Sequence, residues 1–335
     1  MENIQHLLSP FPRAELLTQP TPLDRMNRLS DRLGIDLWLK RDDLTGLSLG
    51  GNKARQLEYY FGAAQVQNAD TILITGAVQS NYVRTAGTIA AMLGMKADLQ
   101  LEQRVTGMGA MYYTSGNVLL GKLAGAAHVT YPDGDDEAGA DAALHARAEE
   151  LRRRGARPYI IHLGQGHPPL GALGYIQGGA ELAGQMDNFD VAVVPSGSGA
   201  THGGFLTGLR LSGVTAEVHG ICVRRDGAQQ LARLDRLTTD IGGLIGIDRP
   251  FGIDQINVWD GALAPGYGRV GDKTRSAIEL MLRTEGVLLD PVYTGKTFAG
   301  LLDLLADKTI RPGQKVVMLH TGGQASVFAY QDELT

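Results

Sequence analysis

Short apolar runs alternate with longer stretches of helical period along most of the chain, and this alternation predicts βα units built on parallel sheets. "DLWLKRDD" (residues 36–43) reads as a strand. "GNKARQLEYYFGAAQVQ" (51–67) reads as a helix with Ala54, Leu57, Tyr60 and Phe61 on one face. The unit repeats in "DTILITGAVQSNYVRTAGTIAAMLGM": a strand over 71–75, a turn over 76–79, and a helix from about Asn81 that stops before Gly94, with Ser80 as N-cap. Strands are predicted at "KADLQLE" and "AHVTYP" on either side of a helix "SGNVLLGKLAG". The acidic, Ala-rich span 133–154 predicts a loop and a surface helix. "RPYIIHL", "DVAVVPS", "EVHGICV" and "KVVMLH" continue the strands, and "EGVLLD" reads as one more ahead of a helix near Thr294. Internal repeats and low-complexity linkers are absent. The proline-bearing stretch "LGQGHPPL" (163–170) is a seam. It predicts a middle domain inserted into a larger one, whose first ~50 residues return to pack with the C-terminal half.

Composition narrows the partners. A chain of 335 residues holds one large or two moderate cores without disulfide staples. The net charge of −5 lacks the basic excess that a nucleic acid or an anionic membrane surface would call for, which leaves a small molecule. The single cysteine, Cys222, sits in the apolar run "VHGICV" and predicts a buried small hydrophobe. The N-terminal stretch lacks the basic-then-apolar order of a signal peptide, and no apolar run approaches the ~18 residues of a membrane span, so a cytoplasmic location is expected. The 45 glycines direct attention to loops where backbone approaches a ligand.

The most informative loop lies in "DVAVVPSGSGATHGGFLTGL", where Gly197, Ser198, Gly199, Ala200 and Thr201 join an apolar strand to a helix. Glycines there let N–H groups converge, and a helix start favours negative charge, so a phosphate cup is predicted. A tight turn without a ligand is the plain alternative. Gly197, Gly199 and Gly203 also approximate a dinucleotide fingerprint, and Arg224 and Arg225 after the next strand would suit an NADP 2′-phosphate. An NADP-dependent oxidoreductase is therefore the rival enzyme class, and a non-catalytic phosphometabolite sensor the third reading.

Pyridoxal phosphate employs more of the loops, because it needs a phosphate cup, a lysine, partners for its phenolic oxygen and ring nitrogen, and a proton-transfer group at the substrate α-carbon. Lys53 follows Gly50, Gly51 and Asn52 at a helix start, where the positive helix end disfavours its ammonium form. Taken alone, it would be a solvated charge. Ser80 and Asn81 open the next helix: N–H groups there would grip a carboxylate, Ser80 would handle a proton, and the Asn81 amide would reach the phenolic oxygen. Tyr293 and Thr294 sit before another helix, Lys296 reads as a surface charge, Thr321 would face the ring nitrogen, His320 reads as a packing residue, and Tyr267 is a loop aromatic. No H-E-x-x-H pair, cysteine pair or G-x-S-x-G elbow is present, so neither a metal nor a serine hydrolase is expected.

These stretches in this order, from "PTPLDRMNRLS" through "LSLGGNKARQLE", "GAVQSNYVRTA", "SGNVLL", "LGALGYIQGGAEL", "PSGSGATHGG", "APGYG" and "VYTGKTFAGL" to "LHTGG", resemble the pyridoxal-phosphate enzymes of the tryptophan-synthase-β type (fold type II). Within them the chain is similar to the D-cysteine desulfhydrase and aminocyclopropane-carboxylate deaminase family. The resemblance covers about Pro20 to Tyr330. It implies a two-domain α/β fold, each domain a mostly parallel sheet flanked by helices. Residues 1–52 plus 163–335 would form the large cofactor-binding domain and 53–162 the small one, with the active site in the cleft and a homodimer as the assembly. Lys53 would hold pyridoxal phosphate as a Schiff base, Gly197 to Thr201 its phosphate, Asn81 its ring oxygen, and Thr321 would lie near its nitrogen. Ser80, Tyr293 and Tyr267 would surround the reacting carbon of a small amino acid, with Gln79, Asn81, Tyr82 and Gln324 bordering the substrate. The family's cyclopropane-opening deaminases carry a glutamate where Thr294 stands. A neutral threonine would leave the ring a weaker electron sink, which favours β-elimination of a group such as sulfide. L-cysteate and aminocyclopropane carboxylate are the alternative substrates. The chain departs from the family at Tyr82, in "GQGHPP" (164–169) and at Gln324, all beside the expected substrate.

Overall fold

The computed structural model describes residues 2–17, 20–162 and 166–335, so Leu163, Gly164 and Gln165 of the predicted seam lie outside the described residues. Within these the strands are β1 (Leu23–Arg25), β2 (Asp36–Lys40), β3 (Thr71–Ala77), β4 (Lys96–Glu102), β5 (Ala127–Tyr131), β6 (Pro158–Ile161), β7 (Val191–Ser196), β8 (Glu217–Cys222), β9 (Asn257–Trp259) and β10 (Lys315–Leu319). The helices that bear on function are α1 (Lys53–Val66), α2 (Asn81–Met92), α3 (Gly116–Leu123), α4 (Glu137–Arg153), α5 (Leu170–Gln185), α6 (Ala200–Leu211), α7 (Gly227–Ile245) and α8 (Thr294–Ala306). The chain forms two compact units, one of residues 1–10, 17–56 and 168–324, the other of 11–16, 57–167 and 325–335.

The first unit carries a six-stranded sheet in the order β1-β2-β10-β7-β8-β9, parallel except for the antiparallel β1–β2 edge. Every residue of β7 is buried, as expected of a central parallel strand covered on both faces. Its core gathers Tyr175, Phe205, Leu209, Val218, Leu234 and Val317. Helices α5 and α6 meet backbone to backbone: a Cβ on Gly204 would fall 2.3 Å from the Ala172 carbonyl oxygen, and one on Gly208 2.1 Å from that of Ile176. Only glycine permits that approach, and it seats α6 with its N-terminus at the end of β7.

Charge is buried in this unit as well. Arg55, on the first turn of α1, donates to both Asp42 oxygens at 2.9 Å and to Glu181, and Lys40 is paired with Glu181. Burial alone would raise the Asp42 carboxyl, but Arg55 and Lys40 hold it below its ordinary range. Removing one partner from such a cluster would strand a buried charge, so the network fixes how α1 begins.

The second unit is a four-stranded parallel sheet in the order β5-β4-β3-β6. Its strand β3 is buried throughout and packs α4 through Leu73, Leu144 and Ala148.

Two sequence expectations need correction. "EGVLLD" is not a strand: the Asp290 carboxylate accepts the N–H groups of Val292, Tyr293 and Thr294, so turn chemistry organises the segment instead of ladder pairing. Lys296 is not a surface charge but fully buried, its ammonium donating to the carbonyls of Leu263 and Gly266 at 2.6 Å each. Cys222 is buried as expected, and burial pushes its thiol up to about 12. Among the described residues, no helix is long and apolar enough to cross a membrane.

Candidate active site

Lys53 is the first residue of α1, at the end of a contorted loop. Ser48, Leu49, Gly50 and Gly51 have φ of 39°, 61°, 61° and 120°, four successive left-handed residues of which two are not glycine. Such a run persists only where its surroundings over-determine it, and it marks sites built for a purpose. The surroundings are visible: Gly51 N–H donates to the Asp42 carbonyl (3.0 Å) and to Thr45 Oγ1 (2.8 Å), and Asn52 N–H to the Thr321 carbonyl (3.0 Å). A Cβ on Gly50 would stand 1.8 Å from the Asp43 carbonyl oxygen. The lysine so presented is half-buried, donates from Nζ to Gln56 Oε1 at 3.3 Å, and is pushed down by burial to about 8. Its neutral, nucleophilic amine is therefore reached near pH 8 rather than above 10.

The predicted phosphate cup is built from the same unit. Gly199, with φ of 98°, turns the chain from β7 into α6. On the outer side of the turn, Arg225 and Arg233 donate to the carbonyls of Gly197 (3.3 Å) and Ser198 (2.8 Å), while Ser196 Oγ accepts from Gln230 Nε2 (2.8 Å). Ser196 is thus a structural residue. At the helix start Thr201 Oγ1 accepts from Asn52 Nδ2 and Gln56 Nε2, both at 2.8 Å. With both lone pairs taken, that hydroxyl retains its proton to donate, and no partner for it stands among the described residues. A hydroxyl restricted to donating, beside unsatisfied helix-start N–H groups, fits a phosphate. Asn52 and Gln56 thereby link the Lys53 segment to the cup, and the sequence reading missed both.

Tyr267 and Tyr293 stand with hydroxyls 2.9 Å apart and rings edge to face, and Lys296 holds the carbonyls on both sides of Pro265 in the loop that carries Tyr267. Thr294 opens α8, at the helix start the sequence predicts. It is fully buried and its hydroxyl is spent on Asp290, bonding the carboxylate and the backbone N–H at 2.7 Å each. Thr294 is a helix-start residue. His320 packs as expected, with Nε2 at 3.1 Å from the Leu288 carbonyl and Nδ1 accepting from Gly322 N–H. Thr321 is buried next to it, and its carbonyl is the one that holds Asn52. Gln324 donates to Asp43 at 3.3 Å and leaves its Oε1 buried without a partner. Arg224 lies 6.0 Å over the Tyr267 ring, so it and Arg225 are engaged within the protein.

In the second unit, Ser80 caps α2, its Oγ accepting weakly from Val83 N–H at 3.3 Å. The Gln79 side chain is committed to the backbone: it donates to the carbonyls of Tyr112 (2.6 Å) and Ser115 (3.0 Å) and accepts from Asn117 N–H (2.9 Å), capping α3. Tyr82 is buried edge-on against Tyr60, and its phenol lies well above the ordinary value, through burial first and Tyr60 second. It is a packing residue of this unit. Asn81 Oδ1 accepts from Asn117 Nδ2 at 2.8 Å, and Asn117 Oδ1 accepts from Arg84 Nε at 3.1 Å. That chain sets the Asn81 amide with its carbonyl held inward and its Nδ2 donors uncommitted among the described residues. Such an arrangement suits an acceptor such as a phenolic oxygen.

Comparison with known proteins gives the family. The family described as "Pyridoxal-phosphate dependent enzyme" matches residues 14–322. The chain is 39% identical over 334 residues to the D-cysteine desulfhydrase of Yersinia enterocolitica, covering 99% of each chain. It is 38% identical to that of Serratia proteamaculans, covering 99% of this chain and all of the relative. A solved structure titled as an ACC deaminase homologue superposes with a TM-score of 0.89 at 36% identity, covering 100% of this chain and 98% of the other.

Proposed function

The chain belongs to the pyridoxal-phosphate-dependent enzyme family, and from that premise we propose that it is a lyase that converts D-cysteine and water to pyruvate, ammonia and hydrogen sulfide by α,β-elimination. The observation that carries this reading is full-length identity of 39% to a protein named for that activity, joined to a cup-and-lysine site built from neighbouring segments. The NADP reading of Arg224 and Arg225 is set aside, because the family is a pyridoxal-phosphate one and both arginines serve internal contacts.

The residues divide the work as follows in this proposal. Bound pyridoxal phosphate supplies an electron sink that acidifies the α-hydrogen of the amino acid joined to it. Lys53 would hold the cofactor, and its amine, lowered by burial to about 8, would be a base of matched strength for the α-proton. Gln56 orients that amine, and Thr201 donates to phosphate. Ser80 and the N–H groups opening α2 are assigned by motif to the substrate carboxylate, Asn81 to the phenolic oxygen and Thr321 to the ring nitrogen. Tyr267 and Tyr293 share a proton that either can deliver to a departing thiolate. Gln324, with its unpartnered Oε1, is assigned to the substrate ammonium. The same reading makes the protein a cytoplasmic homodimer, which light scattering of the purified protein tests.

A substrate panel tests the activity. D-cysteine is expected to yield pyruvate and sulfide faster than L-cysteine. Pyruvate from L-cysteate alone, or 2-oxobutyrate from aminocyclopropane carboxylate, would move the enzyme to another branch of the family.

A further inference from the structure

Asp141, His145, His162 and His167 gather in the second unit, and the chemistry above uses none of them. Helix α4, capped by Asp136, places Asp141 and His145 one turn apart on the same face. Strand β6 ends one residue before His162, and His167 follows five residues on. The cluster is therefore written as D-x3-H and H-x4-H, two pairs within the spacings metal sites use. The sequence reading sought H-E-x-x-H and cysteine pairs and passed over it.

The geometry is convergent. Asp141 Oδ2 is 3.3 Å from His167 Nε2 and 3.7 Å from His145 Nε2, and its Oδ1 is 2.6 Å from His162 Nδ1. The rings of His162 and His167 are stacked at 3.5 Å and 7°, so both turn a nitrogen toward one carboxylate. Ligand atoms of Asp141, His162 and His167 all lie within 4.8 Å of one another. Zinc–nitrogen and zinc–oxygen bonds of ~2.0–2.2 Å place the corners of a tetrahedron about 3.3–3.5 Å apart, which two of the three separations approach. The third is a direct hydrogen bond that opens by under 1 Å when an ion replaces its proton.

Access agrees. Side-chain exposures run from 18% at His162 to 55% at His145, which leaves an entry path.

We propose that Asp141, His145, His162 and His167 form a binding site for one divalent transition-metal ion of the zinc class. Imidazole nitrogen with a single carboxylate suits zinc, nickel and copper over magnesium or calcium. The bound ion ties the start of α4 to the end of β6, outside the catalytic residues.

The test is calorimetric titration of the chelator-treated, dialysed holoenzyme with ZnCl2, with thermal unfolding in parallel. One Zn2+ per chain is expected, at micromolar affinity or tighter, with a rise in melting temperature. His162→Ala and His167→Ala should each weaken binding at least about tenfold and abolish the rise. His145→Ala removes a mostly exposed ligand without touching the core and should weaken it as well, whereas the exposed His6→Ala should not. No saturable binding by the native protein, or native affinity in His162→Ala and His167→Ala, overturns the site.

Discussion

Tyr267 Oη lies 2.9 Å from Tyr293 Oη, so two phenols from separate loops share one hydrogen-bonding proton. A thiolate leaving from a β-carbon needs such a proton. Tyr293→Phe is expected to lower kcat by roughly a hundredfold or more, the scale of a lost general acid, with cofactor loading and KM little changed. Steady-state kinetics with D-cysteine and visible absorbance of the same preparation separate the two effects.

Lys296 holds that pair in place from beneath, because its ammonium is the donor for the carbonyls of Leu263 and Gly266. Lys296→Met removes the buried charge but orphans both carbonyls. Hydrogen exchange over residues 263–268 should accelerate and kcat should fall by about tenfold, the cost of slight misplacement. The pH dependence is signed. Burial lowers Lys296 from 10.5 to about 8, so between those values the unfolded chain holds a proton that the native state has lost. Stability therefore rises with pH across that window from this group, and below about 8 its contribution is flat. Urea unfolding at pH 8 and 10 should show a smaller increase for Lys296→Met than for the native protein.

Asn117 sets which way the Asn81 amide points. Asn117→Asp keeps the shape and the acceptor for Arg84 but presents a carboxylate to the Asn81 carbonyl, which forces the amide to turn. Cofactor affinity should fall about tenfold, one hydrogen bond's worth, with a shift in the visible absorbance of the bound cofactor. An unchanged spectrum and affinity would show that the orientation has no bearing on the cofactor.

Thr201→Val removes the hydroxyl that Asn52 and Gln56 orient, and strands both amides. Fluorescence titration of the apoprotein should give a cofactor dissociation constant raised ~10- to 100-fold, as expected for a hydrogen bond to a charged group.

The strand–helix alternation and the loops at strand ends were legible because period and glycine placement are local properties of the chain. Helix α1 starting at Lys53 and the strand Lys96–Glu102 stand where the pattern puts them. Partnerships across the sequence were not legible: Asn117 serves Asn81 from 36 residues away, and Asn52 meets Thr201 across 149. Lys296 was misread because a lysine in a helix is ordinarily exposed. The available signal was its buried setting among Thr294, Gly295, Thr297 and Phe298. The bond between Thr294 and Asp290, four positions before it, was also not read from the sequence.

Two lysines, Lys53 and Lys296, are both lowered by burial to about 8, and only one is expected to carry the cofactor. Borohydride reduction of the holoenzyme followed by peptide mass mapping decides between them. A pyridoxyl adduct on the peptide containing Lys53, absent from Lys53→Ala, is the predicted result. An adduct on Lys296 or any other lysine in the native enzyme, or a native protein that takes up no cofactor, would contradict the account.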